Sequence, residues 1–90
     1  PNIAPPEIQL QATYVGADAT TVADSVATPI EQQMQGVDGM IYMYSYNSSQ
    51  GQMTLKVDFE VDTDVNTDQI LVQMRYLQAQ SQLPFDVQQY

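Results

Sequence analysis

Histidine, cysteine and tryptophan are absent from this sequence of 90 residues, and lysine plus arginine number only 2 against 11 aspartates and glutamates. Without His or Cys the chain lacks the commonest zinc ligands, the usual near-neutral general base, thiol nucleophiles and disulfides. The redox compartment stays undecided. A net charge of −9 repels phosphate backbones and anionic lipid headgroups, which excludes nucleic acid as a partner. No apolar run approaches the roughly 18 residues that a membrane span needs, and no charged n-region followed by an apolar h-region marks a signal peptide. The segment itself is therefore not expected to insert into a bilayer. Ninety residues make one small domain, able to bury roughly 60% of its unfolded surface and too small for a large internal cavity. No cofactor and no enzymatic chemistry are expected. The start at Pro1 without an initiator Met, and the end at Gln88-Gln89-Tyr90 without a closing element, read as one segment of a longer polypeptide.

What is present is periodicity. Pro1 to Pro6 holds three prolines, which fix φ and remove donors, and reads as an extended lead-in. From Glu7 to Tyr14 apolar and polar residues alternate, with Ile8, Leu10, Ala12 and Tyr14 on one face and Glu7, Gln9, Gln11 and Thr13 on the other, predicting a half-buried strand. Gly16 makes a turn, and Asp18 fits the N-cap of a helix from Ala19 to about Gln35. Its apolar arc is Ala19, Val22, Ala23, Val26, Ala27, Ile30 and Met34, opposite Asp24, Thr28, Glu31, Gln32 and Gln35. Pro29 deletes the hydrogen bond to the Ser25 carbonyl and predicts a kink, and Gly36 fits C′. Met40 to Tyr46 alternates again, with Met40, Tyr42, Tyr44 and Tyr46 on one side and Ile41, Met43 and Ser45 on the other. After the turn residues Asn47-Ser48-Ser49-Gln50-Gly51, Gln52 to Phe59 places Met53, Leu55, Val57 and Phe59 inward and Gln52, Thr54, Lys56 and Asp58 outward, so the two strands form a hairpin.

Thr63 to Pro84 reads as one long helix, capped by Asp64 and ended by Leu83-Pro84. At about 100° per residue, Val65, Val72, Tyr76, Ala79 and Leu83 share one stripe. Ile70, Met74 and Leu77, continued by Ser81, form a second stripe roughly 150° away. Gln69, Gln73 and Gln80 border them on one side and Asp68, Arg75, Gln78 and Gln82 on the other. One face is expected to serve the domain and the other a partner.

The order strand, helix, strand, strand, helix predicts an α+β domain: a ferredoxin-like split β-α-β sandwich with both helices on one face of an antiparallel sheet. Its fourth strand is expected directly after Tyr90. The helices would cover Ile8, Leu10, Tyr14, Met53, Leu55, Val57 and Phe59, and the open face would show Gln9, Gln11, Tyr42, Tyr44, Tyr46, Thr54 and Lys56.

Asp62, Asp64, Asn66 and Asp68 suggest a calcium loop, but the sixth position is Thr67 where the sharp turn needs Gly and the twelfth is Gln73 where a bidentate Glu is required. An acidic helix start that suits the dipole explains them better. Glu31 with Asp24 or Asp38, and Glu60 with Asp62, read as solvated carboxylates rather than acid–base pairs. Asn47-Ser48-Ser49 matches a glycosylation sequon but is better explained as hairpin turn chemistry. For the tyrosines two readings stand: an amphipathic contact surface for a ligand or second protein, or a strand stabilised by cross-strand pairs. For the second helical stripe, cover from the same polypeptide and packing against copies of itself about a symmetry axis also both stand.

Several pieces together carry a family resemblance: Ala4-Pro5-Pro6, Gly16-Ala17-Asp18, Ile30-Glu31-Gln32 through Gly36, Tyr42-Met43, Thr63-Asp64, Val72-Gln73, and Leu83-Pro84 followed by Val87-Gln88. Over essentially its whole length the chain resembles the first porter subdomain of resistance–nodulation–division efflux transporters, in the hydrophobe/amphiphile branch. The resemblance implies a trimeric, proton-driven multidrug antiporter of the Gram-negative inner membrane, with this piece in the periplasm just after the first membrane span. It implies as partners the other protomers of a homotrimer, a periplasmic adaptor and an outer-membrane channel reached through the full pump, and amphipathic small molecules. It places Asn66, Ile70, Met74, Leu77 and Ser81 along the central pore, and Gln9, Gln11, Tyr44, Thr54 and Lys56 on a face bordering the drug path. Met74 and Leu77 are more apolar than the family pattern, and Ser81 stands where proline is common, implying a greasier seam and a straighter helix end. The alternative class is a free-standing acidic ligand-binding or adaptor module whose second stripe is a heterodimer face. The coding sequence on either side distinguishes them: an apolar span ahead of Pro1 and a strand pattern after Tyr90 belong to the pump.

Overall fold

A computed structural model describes residues 4–89, so residues 1–3 of the lead-in and Tyr90 lie outside the described residues. In chain order the elements are β1 (Glu7–Tyr14), α1 (Ala19–Val22), a π-helical turn (Ala23–Ala27), α2 (Thr28–Met34), β2 (Met40–Asn47), β3 (Gln52–Phe59), α3 (Val65–Ala79), a 3-10 turn (Gln80–Gln82) and β4 (Val87–Gln89). The strands form one antiparallel sheet in the order β2-β3-β1-β4, the ferredoxin-like arrangement. The α+β expectation holds. The fourth strand, expected after Tyr90, already begins at Val87, which pairs with Tyr14 while Gln89 pairs with Ala12.

Both helical layers cover the face that alternation assigned to the core. Ile8, Leu10 and Ala12 of β1 and Met53, Leu55, Val57 and Phe59 of β3 are buried beneath Val22, Val26, Ile30, Met34, Val72, Tyr76 and Ala79. Each such aliphatic or aromatic side chain contributes about 1.5–3 kcal/mol relative to exposure. Asp18 caps α1 by accepting from the Thr21 backbone N–H at 2.8 Å, and that hydrogen bond holds its carboxyl below the ordinary range. The hairpin turn is built on Ser48, whose hydroxyl oxygen accepts from the backbone N–H groups of Gln50 and Gln52, each at 3.2 Å.

Four expectations change in detail. The first helix accommodates Pro29 by widening into the π turn Ala23–Ala27 just before it. There the backbone N–H of Thr28 donates to the Ala23 carbonyl, and the Thr28 hydroxyl donates to the same oxygen at 2.8 Å. On β2, Met40 pairs with Phe59 and Tyr42 with Asp58, so Ile41 is an extra residue and the ladder bulges. The bulge flips the alternation, so Met40 and Met43 both pack on the core rather than lying on opposite faces. α3 stops at Ala79, and Leu83 donates to the Gln80 carbonyl at 3.2 Å in a tighter turn. Leu83 then turns extended ahead of Pro84, so the helix end tightens rather than runs straight. Asp64 occupies the N-cap position but makes no side-chain cap bond, its carboxylate accepting instead from the Thr67 hydroxyl at 3.1 Å.

The inner stripe of α3 holds at Val72, Tyr76 and Ala79, with Leu83 packed against the core, and changes only at its start. Val65 is 45% exposed, while Asp68 is 2% exposed and joins Val72, Tyr76 and Ala79 in the interior. The Thr63 hydroxyl lies 2.6 Å from Asp68 Oδ2, giving this carboxylate the partner that burial demands.

Candidate functional site

Two surfaces hold the residues that the sequence singles out. On α3, Ile70, Met74 and Leu77 are 60%, 53% and 54% exposed, and Asn66 and Ser81 are exposed as well. Ser81 lies in the 3-10 turn rather than in the α-helix, so it continues the stripe at a different rise and angle. Three large apolar side chains thus face outward on the helix whose opposite side is packed on the sheet.

The second surface is the uncovered face of the sheet, and the register orders it into rows. Tyr42, Asp58 and Glu7 lie across β2, β3 and β1 in one row; Tyr44, Lys56 and Gln9 form the next; Tyr46, Thr54 and Gln11 form the third. The five expected residues Gln9, Gln11, Tyr44, Thr54 and Lys56 therefore fill the second row and most of the third. Glu7, Tyr42, Tyr46 and Asp58 complete the grid. The alternation places all four outward and offers Tyr42 and Tyr46, beside Tyr44, as a contact surface; what joins Glu7 and Asp58 to them is the pairing register, with its bulge at Ile41.

The tyrosine rings contact one another along β2. Tyr42 and Tyr44 stack at 6.0 Å with 24° between planes, and Tyr44 and Tyr46 meet edge to face at 5.6 Å and 82°. The Tyr44 hydroxyl donates to Glu7 Oε2 at 3.3 Å, and Tyr42 lies beside Asp58 in the sheet register. Loss of solvent, followed by the Glu7 charge, pushes the Tyr44 phenol up to about 12; the hydrogen bond to Asp58, and that carboxylate's charge, raise Tyr42. Both therefore stay phenolic donors over the physiological range. Lys56 Nζ stands 3.9 Å from Glu7 Oε1 and 5.9 Å from the Tyr46 ring centroid. Rings with tied hydroxyls, two carboxylates, one ammonium and neighbouring amides can hold amphipathic molecules by ring contact and charge. They do not form a nucleophile–base pair. Among the described residues no helix is long and apolar enough to cross a membrane.

A family model described as the AcrB/AcrD/AcrF family matches residues 1–90. The multidrug resistance protein MdtF of Escherichia coli (strain K12) is 46% identical over 89 residues, covering 99% of this chain and 9% of that protein. The solvent-resistant pump membrane transporter SrpB of Pseudomonas putida is 46% identical over 88 residues, covering 98% of this chain and 8% of that protein. The multidrug export protein AcrF of Escherichia coli (strain K12) is 44% identical over 89 residues, again 99% of this chain and 9% of that protein. The chain spans less than a tenth of the length of these curated relatives.

Proposed function

Because the chain belongs to the AcrB/AcrD/AcrF family, we propose that it is the first periplasmic porter subdomain of a proton-driven multidrug efflux transporter of the resistance–nodulation–division type. In this reading α3 packs on its two copies around the central pore of a homotrimer, through Asn66, Ile70, Met74, Leu77 and Ser81. The open sheet face, with Gln9, Gln11, Tyr44, Thr54 and Lys56, borders the path of amphipathic compounds. The piece contributes shape and surface rather than chemistry. The adaptor and outer-membrane channel are reached through the rest of the pump.

The observation that carries the reading is the outer stripe of α3. Ile70, Met74 and Leu77 are each more than half exposed, although the same helix buries Val72, Tyr76 and Ala79 on its other side. Covering apolar area contributes roughly 25 cal/mol per Å², and a three-fold axis covers the same stripe on every protomer at once. Relatives whose names describe multidrug resistance, multidrug export and a solvent-resistant pump agree with a compound-exporting role.

The test is the double variant Ile70→Asp plus Met74→Asp in the full transporter. Both side chains lie outside the core, so the subdomain should fold as before. Loss of trimer mass in detergent together with loss of efflux is expected. A trimer of normal stability that exports normally would sink the pore assignment.

A further inference from the structure

Thr63 carries one hydroxyl hydrogen and faces two acceptors. Its Oγ1 lies 2.6 Å from Asp68 Oδ2 and 2.9 Å from the Glu60 carbonyl oxygen. A carbonyl and an ionised carboxylate only accept, so with Asp68 ionised the hydrogen serves one of them and the other contact sets two oxygens against each other. A proton on Asp68 supplies the missing hydrogen: Oδ2–H donates to Thr63 Oγ1, and the Thr63 hydroxyl donates onward to Glu60. We propose that the Thr63 hydroxyl is a proton-coupled switch at the entry of α3, turned toward Asp68 when that side chain is ionised and toward Glu60 when it is protonated.

The surroundings leave the hydroxyl this choice and little other freedom. Gly39 has φ +80, and a Cβ there would stand 2.9 Å from Thr63 Cγ2, so the Thr63 methyl fills the space beside this glycine. The Gly39 carbonyl accepts from the Glu60 N–H at 2.8 Å, and the Glu60 carbonyl accepts from the Thr63 N–H at 3.2 Å. A hydroxyl bond to Glu60 therefore doubles the backbone bond that closes this turn. Asp68 belongs to the helix beyond it, its N–H donating to the Asp64 carbonyl at 2.9 Å. Because Asp68 is 2% exposed, water is not at hand to replace a lost contact. Protonated, the three groups share two hydrogen bonds that tie the turn to α3; ionised, they share one.

The charged groups on the surrounding segments are Asp38 before β2, Glu60, Asp62 and Asp64 before α3, Glu31 of α2 and Arg75 of α3. Asp38 and Asp64 line the same recess as Asp68. Glu31 accepts from the Ser45 hydroxyl at 3.4 Å, and Arg75 is held by the Gln33 and Gln35 carbonyls. Lys56 and Asp58 of β3 lie on the uncovered side of the sheet with Glu7. Proton uptake by Asp68 thus removes one charge from an acidic neighbourhood. The switch acts on α3 from its core side and does not rest on the pore assignment of its outer stripe.

Hydrogen exchange by mass spectrometry tests this on the intact protein that carries the segment. The exchange rate of the peptide 60–68 is taken as a ratio to that of α2 in the same sample, which cancels the intrinsic effect of pH. At neutral pH Asp68→Asn, whose amide is a donor at every pH, should lower the ratio roughly two- to tenfold, the worth of one net hydrogen bond. Adding Thr63→Val should abolish that gain. On acidification through the ordinary carboxylate range, to about pH 4, the wild-type ratio should fall by a similar factor while Asp68→Asn stays level. A level wild-type ratio overturns the switch, and so does an equal fall in Thr63→Val, which keeps every other carboxylate. A gain from Asp68→Asn that survives Thr63→Val overturns it too. Asp68→Asn exchanging no more slowly than wild type would mean one hydrogen shared between two acceptors, with no switch. Should Asp68→Asn fail to fold, the wild-type acidification decides alone.

Discussion

Arg75 reaches from α3 to the end of α2, where its Nη1 donates to the Gln35 carbonyl at 2.8 Å and to the Gln33 carbonyl at 2.9 Å. The last carbonyls of a helix have no partner inside it, and a guanidinium there satisfies two of them while meeting the negative end of the dipole. Arg75→Ala should therefore cost about 1–3 kcal/mol in urea unfolding. Arg75→Lys should recover only part of this, because a lysine ammonium is more strongly hydrated than a guanidinium and gives up more water to serve these carbonyls. Equal stability of wild type and Arg75→Ala would show that water serves these carbonyls as well.

The role of Arg75 was not legible in the sequence, and the reason is general to what was missed. Its partners are backbone carbonyls 40 and 42 positions away, so no side-chain pattern announces them. Strands Glu7–Tyr14 and Gln52–Phe59 were legible to the residue because only one of their faces is apolar, and a period of two then has one solution. Met40-Ile41-Tyr42-Met43 is apolar on both sides, so a bulge that shifts the period leaves no trace there. The five residues of the open face could be grouped from alternation alone. Their rows, and Glu7 as the shared partner of Tyr44 and Lys56, needed the register. Residue angles put Asp68 on the border of α3, and its burial depends on the Thr63 hydroxyl as a donor.

Gly51 is the backbone position with least freedom to change. It has φ +81 and is buried, and a Cβ there would collide with the Tyr14 carbonyl. Tyr14 also donates to the Gly51 carbonyl at 2.7 Å, locking the hairpin turn to the end of β1. Gly36 has the same φ but open space around the missing Cβ. Gly36→Ala should cost about 1 kcal/mol, the left-handed penalty alone, and Gly51→Ala about 3 kcal/mol or more, since overpacking adds to it. Thermal unfolding of the two variants checks the ranking, and equal losses would contradict the collision.

Two threonine–aspartate contacts at the start of α3 differ in burial. Thr63 serves Asp68 Oδ2 at 2.6 Å in the interior, whereas Thr67 serves Asp64 at 3.1 Å on the surface. Thr63→Val keeps the shape and removes the donor, leaving a buried carboxylate oxygen short of a partner, and should cost about 1.5–3 kcal/mol. Thr67→Val should stay within about 0.5 kcal/mol, because water replaces the lost hydroxyl. Chemical denaturation that ranks the two in reverse order would mean that water reaches Asp68.

Tyr44 gives the open face a pH signature. Its folded pKa stands at about 12 against an ordinary 10.0, through loss of solvent first and the Glu7 charge second. A raised pKa means that the folded state holds the phenolic proton more tightly than the unfolded state does. The stabilisation is thus fully present below the ordinary value and is lost as pH climbs through the folded one. Stability should fall between about pH 10 and 12, alongside the contribution of Tyr42, raised by Asp58. Glu7→Gln removes the charge but not the burial, so ultraviolet titration of the phenolate should move Tyr44 part of the way back toward 10.0. A Tyr44 titration unmoved by Glu7→Gln would mean that Glu7 does not sit against this ring, and the carboxylate corner that orders the face would go with it.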